Sequence, residues 1–520
     1  MNEARLDAWT AAAATGGRVV REAGRVAVFV TSDSRAVRPG CAFVALRGER
    51  VDGHDYLAQA IDAGACLVVT ERGRSGDDPR ADAVEVDDTL VAWGLAARAH
   101  LRAWRRARKG DARVLAITGS AGKTTTKALA AALLGAAAES SGEVVATRGN
   151  LNNLVGLPAT AWTVHDGVRF AVFEAGMSVP GEIARLAAVA EPDVAVIVNV
   201  GVAHAEGVGG TRGAVAREKG ALYEALAPEG IAVVNADDAA ARGQLARTVA
   251  RRAVLFGRSE DADYRLLSRT PEGTRGSTLE VARAGDRLRV SLPLVGEAAA
   301  IDFCAALAAC DAMTGRLLSE DAIARGLATV DTSGGRAEAS VLSGGVLLVD
   351  DSYNANPESM RAALATLAEL ATGRRAVAVL GEMLELGPLA EPEHDALGDR
   401  AADAGVALVI TCGGLASRTA ARARARGVEV IEASSSKEAA ARAASAIGPG
   451  DVVLVKGSRG ARTELVARAI RERFSDGGRA YHDLRAALPA ARRRLALLAP
   501  RSKVRPVSRH RRDDDRDGAL

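Results

Sequence analysis

The chain has 520 residues, too many for a single core at about 150 residues per domain, so three domains are expected. Hydrophobic residues make up 48% and charged residues 26%, which excludes a collagenous, coiled-coil or wholly disordered chain, and aromatics at 3% leave the cores to Val, Leu, Ile and Ala. The net charge of +3 divides into +6 on residues 492–520, where ten Lys and Arg face four Asp, and −3 on the rest, so the basic excess lies in a tail and no nucleic-acid partner is expected.

No run of about eighteen apolar residues occurs, and the start MNEARLDAWTAAAATGG lacks a basic region followed by an apolar stretch, so neither a transmembrane segment nor a signal peptide is expected, and a cytoplasmic protein is. Cys41, Cys66, Cys304, Cys310 and Cys412 show no metal-ligand spacing and read as small buried hydrophobes in a reducing compartment.

In chain order, a first group of strands reads 26–34, 41–46, 65–71 and 82–86, closed by a helical stretch over 89–108 that ends in the basic cluster RRARKG. A second group reads 113–119, 169–176, 194–201 and 230–238, and a third 345–353, 375–383, 407–414, 428–432 and 451–458, with Ala-rich helices between. Strands alternating with helices predict α/β layering with largely parallel sheets. Domains are expected over 1–108, 109–332 and 333–474, with 475–520 as a basic, disordered tail.

ITGSAGKTTTK, Ile117 to Lys127, follows a strand and opens an Ala/Leu-rich helix, the setting in which backbone N–H groups and a helix N-terminus converge on phosphate oxygens. Thr118, Gly119, Ser120, Ala121, Gly122, Lys123, Thr124 and Thr125 are the candidate nucleotide contacts, with Lys123 a point charge for the phosphates and Thr124 a Mg²⁺ ligand. Glu174 and His204 stand just beyond strand ends, on the side where open α/β sheets bind ligands. Lys219 lies on the following helical stretch, and Asn150, Asn152 and Asn153 fall in a turn-rich segment. DDSYNANPESM, from Asp350, reads as a strand, a turn at Asn354, Asn356 and Pro357, and a capped helix start.

The loop lacks the glycine that the longer GxxxxGK[ST] form would need at position 117, where Ile117 stands. Its shorter TGxxGKTT form resembles the Mur ligase and folylpolyglutamate synthetase superfamily, and GNLNNLVGLP, DSYNANPESM and GGRAE resemble the branch of the Mur ligases that adds a final dipeptide. The resemblance covers residues 26–472 and implies three domains: a central P-loop-type ATPase sheet, an N-terminal UDP-binding α/β domain and a C-terminal Rossmann-like domain. It implies a ligase that joins D-alanyl-D-alanine to a UDP-N-acetylmuramoyl-tripeptide through an acyl phosphate, using ATP and two Mg²⁺ ions and acting as a monomer. Glu174 and His204 would hold Mg²⁺, and Lys219, as a carbamate, would hold the second ion; Arg336 would reach the nucleotide phosphates and Asp351 the ribose. Ser34, Arg35, Arg47, Gly48, Glu49, Asp52, Gly53 and His54 would bind the uridine diphosphate, with Asn150, Asn152, Asn153, Asn354, Asn356 and Pro357 contacting the rest of the substrates.

One departure stands out, because the family pattern GxHNxxNALAA beside the adenine is here GEAAAIDFCAALAA from Gly296, with Ala298, Ala299 and Asp302 in place of His and two Asn. Two lost amide contacts at about 0.5–1.5 kcal/mol each would alter ATP affinity or nucleotide selectivity. A sister ligase with another amine acceptor, and a UDP-sugar-binding module with a vestigial ATP site, are the alternatives.

Overall fold

The computed structural model describes residues 5–48, 50–138, 141–330 and 335–475. The expected tail beyond Ser475 and the candidate Glu49 lie outside them. Three sheets, each flanked by helices, follow one another along the chain, with a two-stranded ribbon, Leu6–Asp7 on Val26–Ala27, beside the first. The first sheet has the order Arg18–Arg21, Asp82–Val86, Ala65–Glu71, Cys41–Val44, Phe29–Thr31, with only its first pair antiparallel. Runs such as Asp82–Val86 are buried throughout, as a parallel strand covered on both faces must be.

The central sheet has nine strands. Arg113–Thr118 lies inside it, between Phe170–Glu174 and Val194–Ile197, and both neighbours are parallel to it. Helices Lys123–Ala137 and Glu297–Thr314 pack on one face, with Leu129, Leu133, Phe303 and Leu307 at the contact, and helices Thr89–Ala107, Glu182–Ala190 and Arg212–Glu224 supply the other. The third sheet runs Glu338–Val341, Leu347–Asp351, Val452–Lys456, Ala376–Gly381, Leu408–Cys412, Glu429–Ala433, parallel after its first pair.

The strands read from the sequence recur within a few residues of their expected bounds, but the central sheet continues where no strand was expected. Arg252–Gly257 adds in parallel, and Tyr264–Pro271, Ser277–Arg283 and Asp286–Leu292 add as an antiparallel meander. The last two are joined by Ala284 and Gly285, at φ +50° and +87°, the paired positive values of a two-residue hairpin turn. Every second residue of Ser277–Arg283 is buried, so the alternation was present, though masked by Ser277 and Arg283 at buried positions and Ala282 at an outward one.

The meander is tied to the helix behind it by a buried ion pair. Asp311 accepts from the Tyr264 hydroxyl and from Arg283, both at 2.9 Å, and from the Leu318 amide at 2.8 Å. Arg283 is 7% exposed and Asp311 6%, so neither has water as an alternative partner. Asp311→Ala strands the guanidinium in the core and is expected to cost about 3–5 kcal/mol, read as a fall in the denaturant midpoint, whereas a fall under ~1 kcal/mol would show that Arg283 finds another partner.

Candidate active site

The phosphate loop is held from beside and beneath. Ser120 and Ala121 donate their amides to Asn199 Oδ1 at 3.1 and 2.9 Å, and Asn199 Nδ2 donates to the Ala121 carbonyl at 3.0 Å. Those two loop amides are thus consumed by the scaffold, and the ones at the start of helix Lys123–Ala137, which have no intrahelical acceptor, remain for an anion. Gly122 sits at φ +81°, and a Cβ there would lie 2.3 Å from Asp302 Oδ1. Thr118 is turned inward, its hydroxyl donating to the Ala175 carbonyl at 2.9 Å. Lys123 Nζ rests 2.6 Å from the Gly119 carbonyl. Its enclosure and the nearby Arg336 push its ammonium below the ordinary lysine value, against the pull of Glu174.

Glu174 ends the adjacent strand and is 2% exposed. The Thr124 hydroxyl at 2.9 Å, Lys127 Nζ at 3.0 Å and Asn152 Nδ2 at 2.9 Å all donate to it. Burial would push its carboxyl up, but Lys127, Lys123 and Asn152 outweigh burial and hold it below the ordinary glutamate value. Lys219, on helix Arg212–Glu224, is 1% exposed, and among the described residues its Nζ meets Met177 Sδ, at 3.9 Å. Burial, reinforced by Lys123, drives that amine well below the ordinary lysine value. His204 adopts φ +60° and its Nδ1 meets Glu385 of the third sheet unit, which is itself at φ +62°; among the described residues its Nε2 has no hydrogen-bond partner.

The third sheet unit closes the site from the far side. The Arg336 guanidinium lies 3.8 Å over the Tyr353 ring. Asp351 is paired with Lys456 at 2.6 Å and accepts from the Ala337 amide. Asn356 caps helix Pro357–Leu370 through Oδ1, while its Nδ2 donates to the Ser120 carbonyl at 3.0 Å. Pro357 is the buried first residue of that helix, and the Asn354 side chain accepts from the next amide.

Between these walls lies a cavity of about 500 Å³, lined by Gly122, Lys123, Thr124, Glu174, His204, Asn150, Asn152, Asn153, Arg336, Asp351, Asn354 and Asn356. Residues from six separate stretches of sequence, 122–124, 150–153, 174, 204, 336 and 351–356, are therefore brought together, while Lys219 and Pro357 do not line the cavity. Lys127, Asn199, Tyr353 and Lys456 were not among the candidates; Lys127 could have been found as the next lysine one helical turn after Lys123, on the face of Thr124.

Ser34, Arg35, Arg47, Gly48, Asp52, Gly53 and His54 do not line this cavity and sit on the first sheet unit. His54 is 7% exposed and both ring nitrogens are engaged. Its Nε2 accepts from the Glu71 amide at 2.9 Å, which leaves the proton on Nδ1 to meet Asp52 at 2.6 Å. Asp52 also accepts from Arg74, Arg47 bridges to Asp52 through the backbone, and Arg35 folds back on Asp33 while remaining 85% exposed.

Lys127→Met is expected to leave Glu174 as an uncompensated buried carboxylate and to destabilise the fold by about 3–5 kcal/mol near neutral pH. Because the folded-state value of Glu174 is lowered, the stability it contributes is present above the ordinary glutamate range and lost as pH falls through the lowered value. Thermal midpoints of the two proteins should therefore converge in acid, and a gap independent of pH would refute the pairing.

Three family models match successive segments: the Mur ligase family, catalytic domain over residues 27–97, the Mur ligase middle domain over 117–310, and the Mur ligase, glutamate ligase domain over 335–459. A UDP-N-acetylmuramoyl-tripeptide–D-alanyl-D-alanine ligase of Escherichia coli strain K12 is 36% identical over 447 residues, 85% of this chain and 93% of that protein. Among solved structures, MurF from Acinetobacter baumannii superposes with a TM-score of 0.80 at 27% identity, covering 91% of this chain and all of that one. MurF ligase from Thermotoga maritima in complex with ADP superposes with a TM-score of 0.73 at 29% identity, over 86% and 97% of the two chains. With three successive models matched and an identity that holds across most of both proteins, this chain belongs to the Mur ligase family.

Proposed function

We propose that the chain joins D-alanyl-D-alanine to UDP-N-acetylmuramoyl-tripeptide at the expense of ATP, yielding the UDP-N-acetylmuramoyl-pentapeptide, ADP and phosphate for peptidoglycan. The observation that carries this reading is the convergence of Lys123, Thr124 and Glu174 with Arg336 around one cavity, in a chain so similar to a ligase of that name. In the reaction the terminal carboxylate oxygen of the tripeptide bonds to the γ-phosphorus as the β–γ bridge bond breaks and ADP leaves. The dipeptide amine then attacks the acyl carbon, phosphate departs, and the nitrogen gives up a proton.

The protein's part is to hold reactants in line and to offset charge. The free amides of helix Lys123–Ala137 and the Lys123 ammonium would face the phosphates, and Arg336, with its guanidinium carbon 3.8 Å over the Tyr353 ring, would approach from the opposite wall. Among the described residues no three His, Cys, Asp or Glu side chains converge. The donor set still fits Mg²⁺, which takes one or two protein oxygens and completes its shell with phosphates and water. Thr124 and Glu174 would hold the ion, whose charge polarises the transferred phosphoryl group. His204 retains Nε2 for the same region. Lys219 fits a carbamate, since a buried amine whose hydrogen-bond contact among the described residues is the Met177 sulfur, and whose charge is suppressed, is nucleophilic toward CO₂. The sheet units support domains over 1–108, 109–332 and 333–474, and the loop of Arg47, Asp52 and His54 in the first is assigned to the uridine diphosphate.

Phosphate release from the purified protein should require ATP, Mg²⁺, the UDP-sugar tripeptide and D-alanyl-D-alanine together, and release without the dipeptide would overturn the ligation. Lys123→Ala should lower kcat about 10²–10³-fold. Native mass spectrometry in bicarbonate should find the mass of one CO₂ on the wild type and none on Lys219→Ala; equal masses relative to sequence would exclude the carbamate.

A further inference from the structure

Helix Glu297–Thr314 carries two acids in its otherwise apolar interior, and only one is answered. Asp311 has Arg283, Tyr264 and the Leu318 amide. Asp302 is 6% exposed and lines the cavity beside Leu294, Val295, Ala298 and Ala299, and no described cation pairs with it. The Thr126 hydroxyl is the polar group that bears on its carboxyl.

Charged groups on the elements packed around it are committed elsewhere. Lys123 and Lys127 on the phosphate helix are turned to the Gly119 carbonyl and to Glu174. Arg269 and Arg283 on the meander hold Glu369 and Asp311, Glu358 on helix Pro357–Leu370 accepts from the Val202 amide, and Glu297 on its own helix is paired with Arg258. The carboxyl instead abuts Gly122, the residue from which helix Lys123–Ala137 starts. A helix N-terminus stabilises negative charge, so an ionised Asp302 and a nucleotide polyphosphate compete for the same partial positive charge and repel each other in a shared, poorly solvated space.

We propose that Asp302 couples nucleotide binding to proton uptake: the polyphosphate seats on the phosphate loop with the Asp302 carboxyl neutral and able to donate a hydrogen bond, and nucleotide affinity therefore falls as pH rises. The inference rests on the reading of the cavity as an ATP site. Burial already holds this carboxyl well above the ordinary carboxylate range, and an arriving polyphosphate acts in the same direction. Because the bound state favours the proton more than the free state does, affinity is greatest below the free-state value. It falls by up to about tenfold per pH unit above that value, until the bound-state value is passed.

The test is calorimetry of ADP binding to the full chain with Mg²⁺ from about pH 6 to 9, in two buffers of different ionisation heat, for the wild type and Asp302→Asn. Wild type should take up more protons than the variant, and the ratio of its Kd to that of the variant should climb with pH by up to about tenfold per unit. Asp302→Ser, equally uncharged, supplies the comparison should the asparagine variant not fold. Equal proton uptake with parallel Kd profiles overturns the inference and leaves the ligase reading standing. No binding of ADP to the wild type overturns both, and a diverging profile without ligation overturns the ligase reading alone.

Discussion

A carboxylate kept ionised in a nearly dry place is the constraint around which this molecule is arranged. Glu174 can stay charged because Lys127, Thr124 and Asn152 donate to it, with Lys123 nearby, and these groups come from two parts of the local fold. Thr124 and Lys127 project from one face of the helix that also presents its amide dipoles to the cavity, and Asn152 comes from the loop following the sheet-edge strand Val144–Ala146. The register between Arg113–Thr118 and Phe170–Glu174 sets Glu174 opposite Ile117, one residue before the phosphate loop begins to turn. A slip of one residue in that pairing would turn Glu174 to the other face of the sheet and undo the site.

The same economy governs the charges that face it. Lys123 and Arg336 line one cavity and Lys219 lies near enough to Lys123 to feel its charge; burial first, and these like charges second, lower the basicity of both lysines. A cluster of this kind is unstable in isolation and becomes favourable when a polyanion enters it, so the site is built for its ligand more than for the empty protein. Asp302 is the opposite case, an acid placed where the polyanion arrives, and its neighbours offer it no cation.

Much of this was legible from residue patterns. Alternating β-branched and Ala-rich runs located most of the parallel strands of all three sheets, because strands buried on both faces have no outward positions at which polar residues could blur them, whereas the partly buried Val144–Ala146 and Arg252–Gly257 were not located. The meander at 264–292 was not, since half of its residues face outward and carry Arg, Glu and Asp, which reads as a charged connection unless the two-residue turn at Ala284 and Gly285 is noticed. In the site, Lys123 and Thr124 were singled out by phosphate-loop chemistry and Glu174 and His204 by their place at strand ends, while Arg336 was indicated by the family resemblance alone. Asn199 and Lys456 were missed because their roles exist only through partners distant in sequence, the loop backbone and Asp351, and no local pattern announces a partner; Lys127 shares a helix face with Thr124, but its partner Glu174 is distant too. Asp52 and His54 show the converse, side chains with ligand-binding chemistry that the fold turns toward one another.

Asn356 carries two duties on one planar amide. Its oxygen caps helix Pro357–Leu370, and its nitrogen reaches across to the Ser120 carbonyl. Aspartate would keep the cap but offer an acceptor to an acceptor, while serine would cap with an arm too short to cross. The helix start and the clasp on the phosphate loop are thus a single degree of freedom. An exchange to aspartate or serine would preserve the local helix but remove this clasp, leaving the third sheet unit joined to the central one through Glu358 with the Val202 amide and Glu385 with His204, and no longer through Asn356 to the phosphate loop.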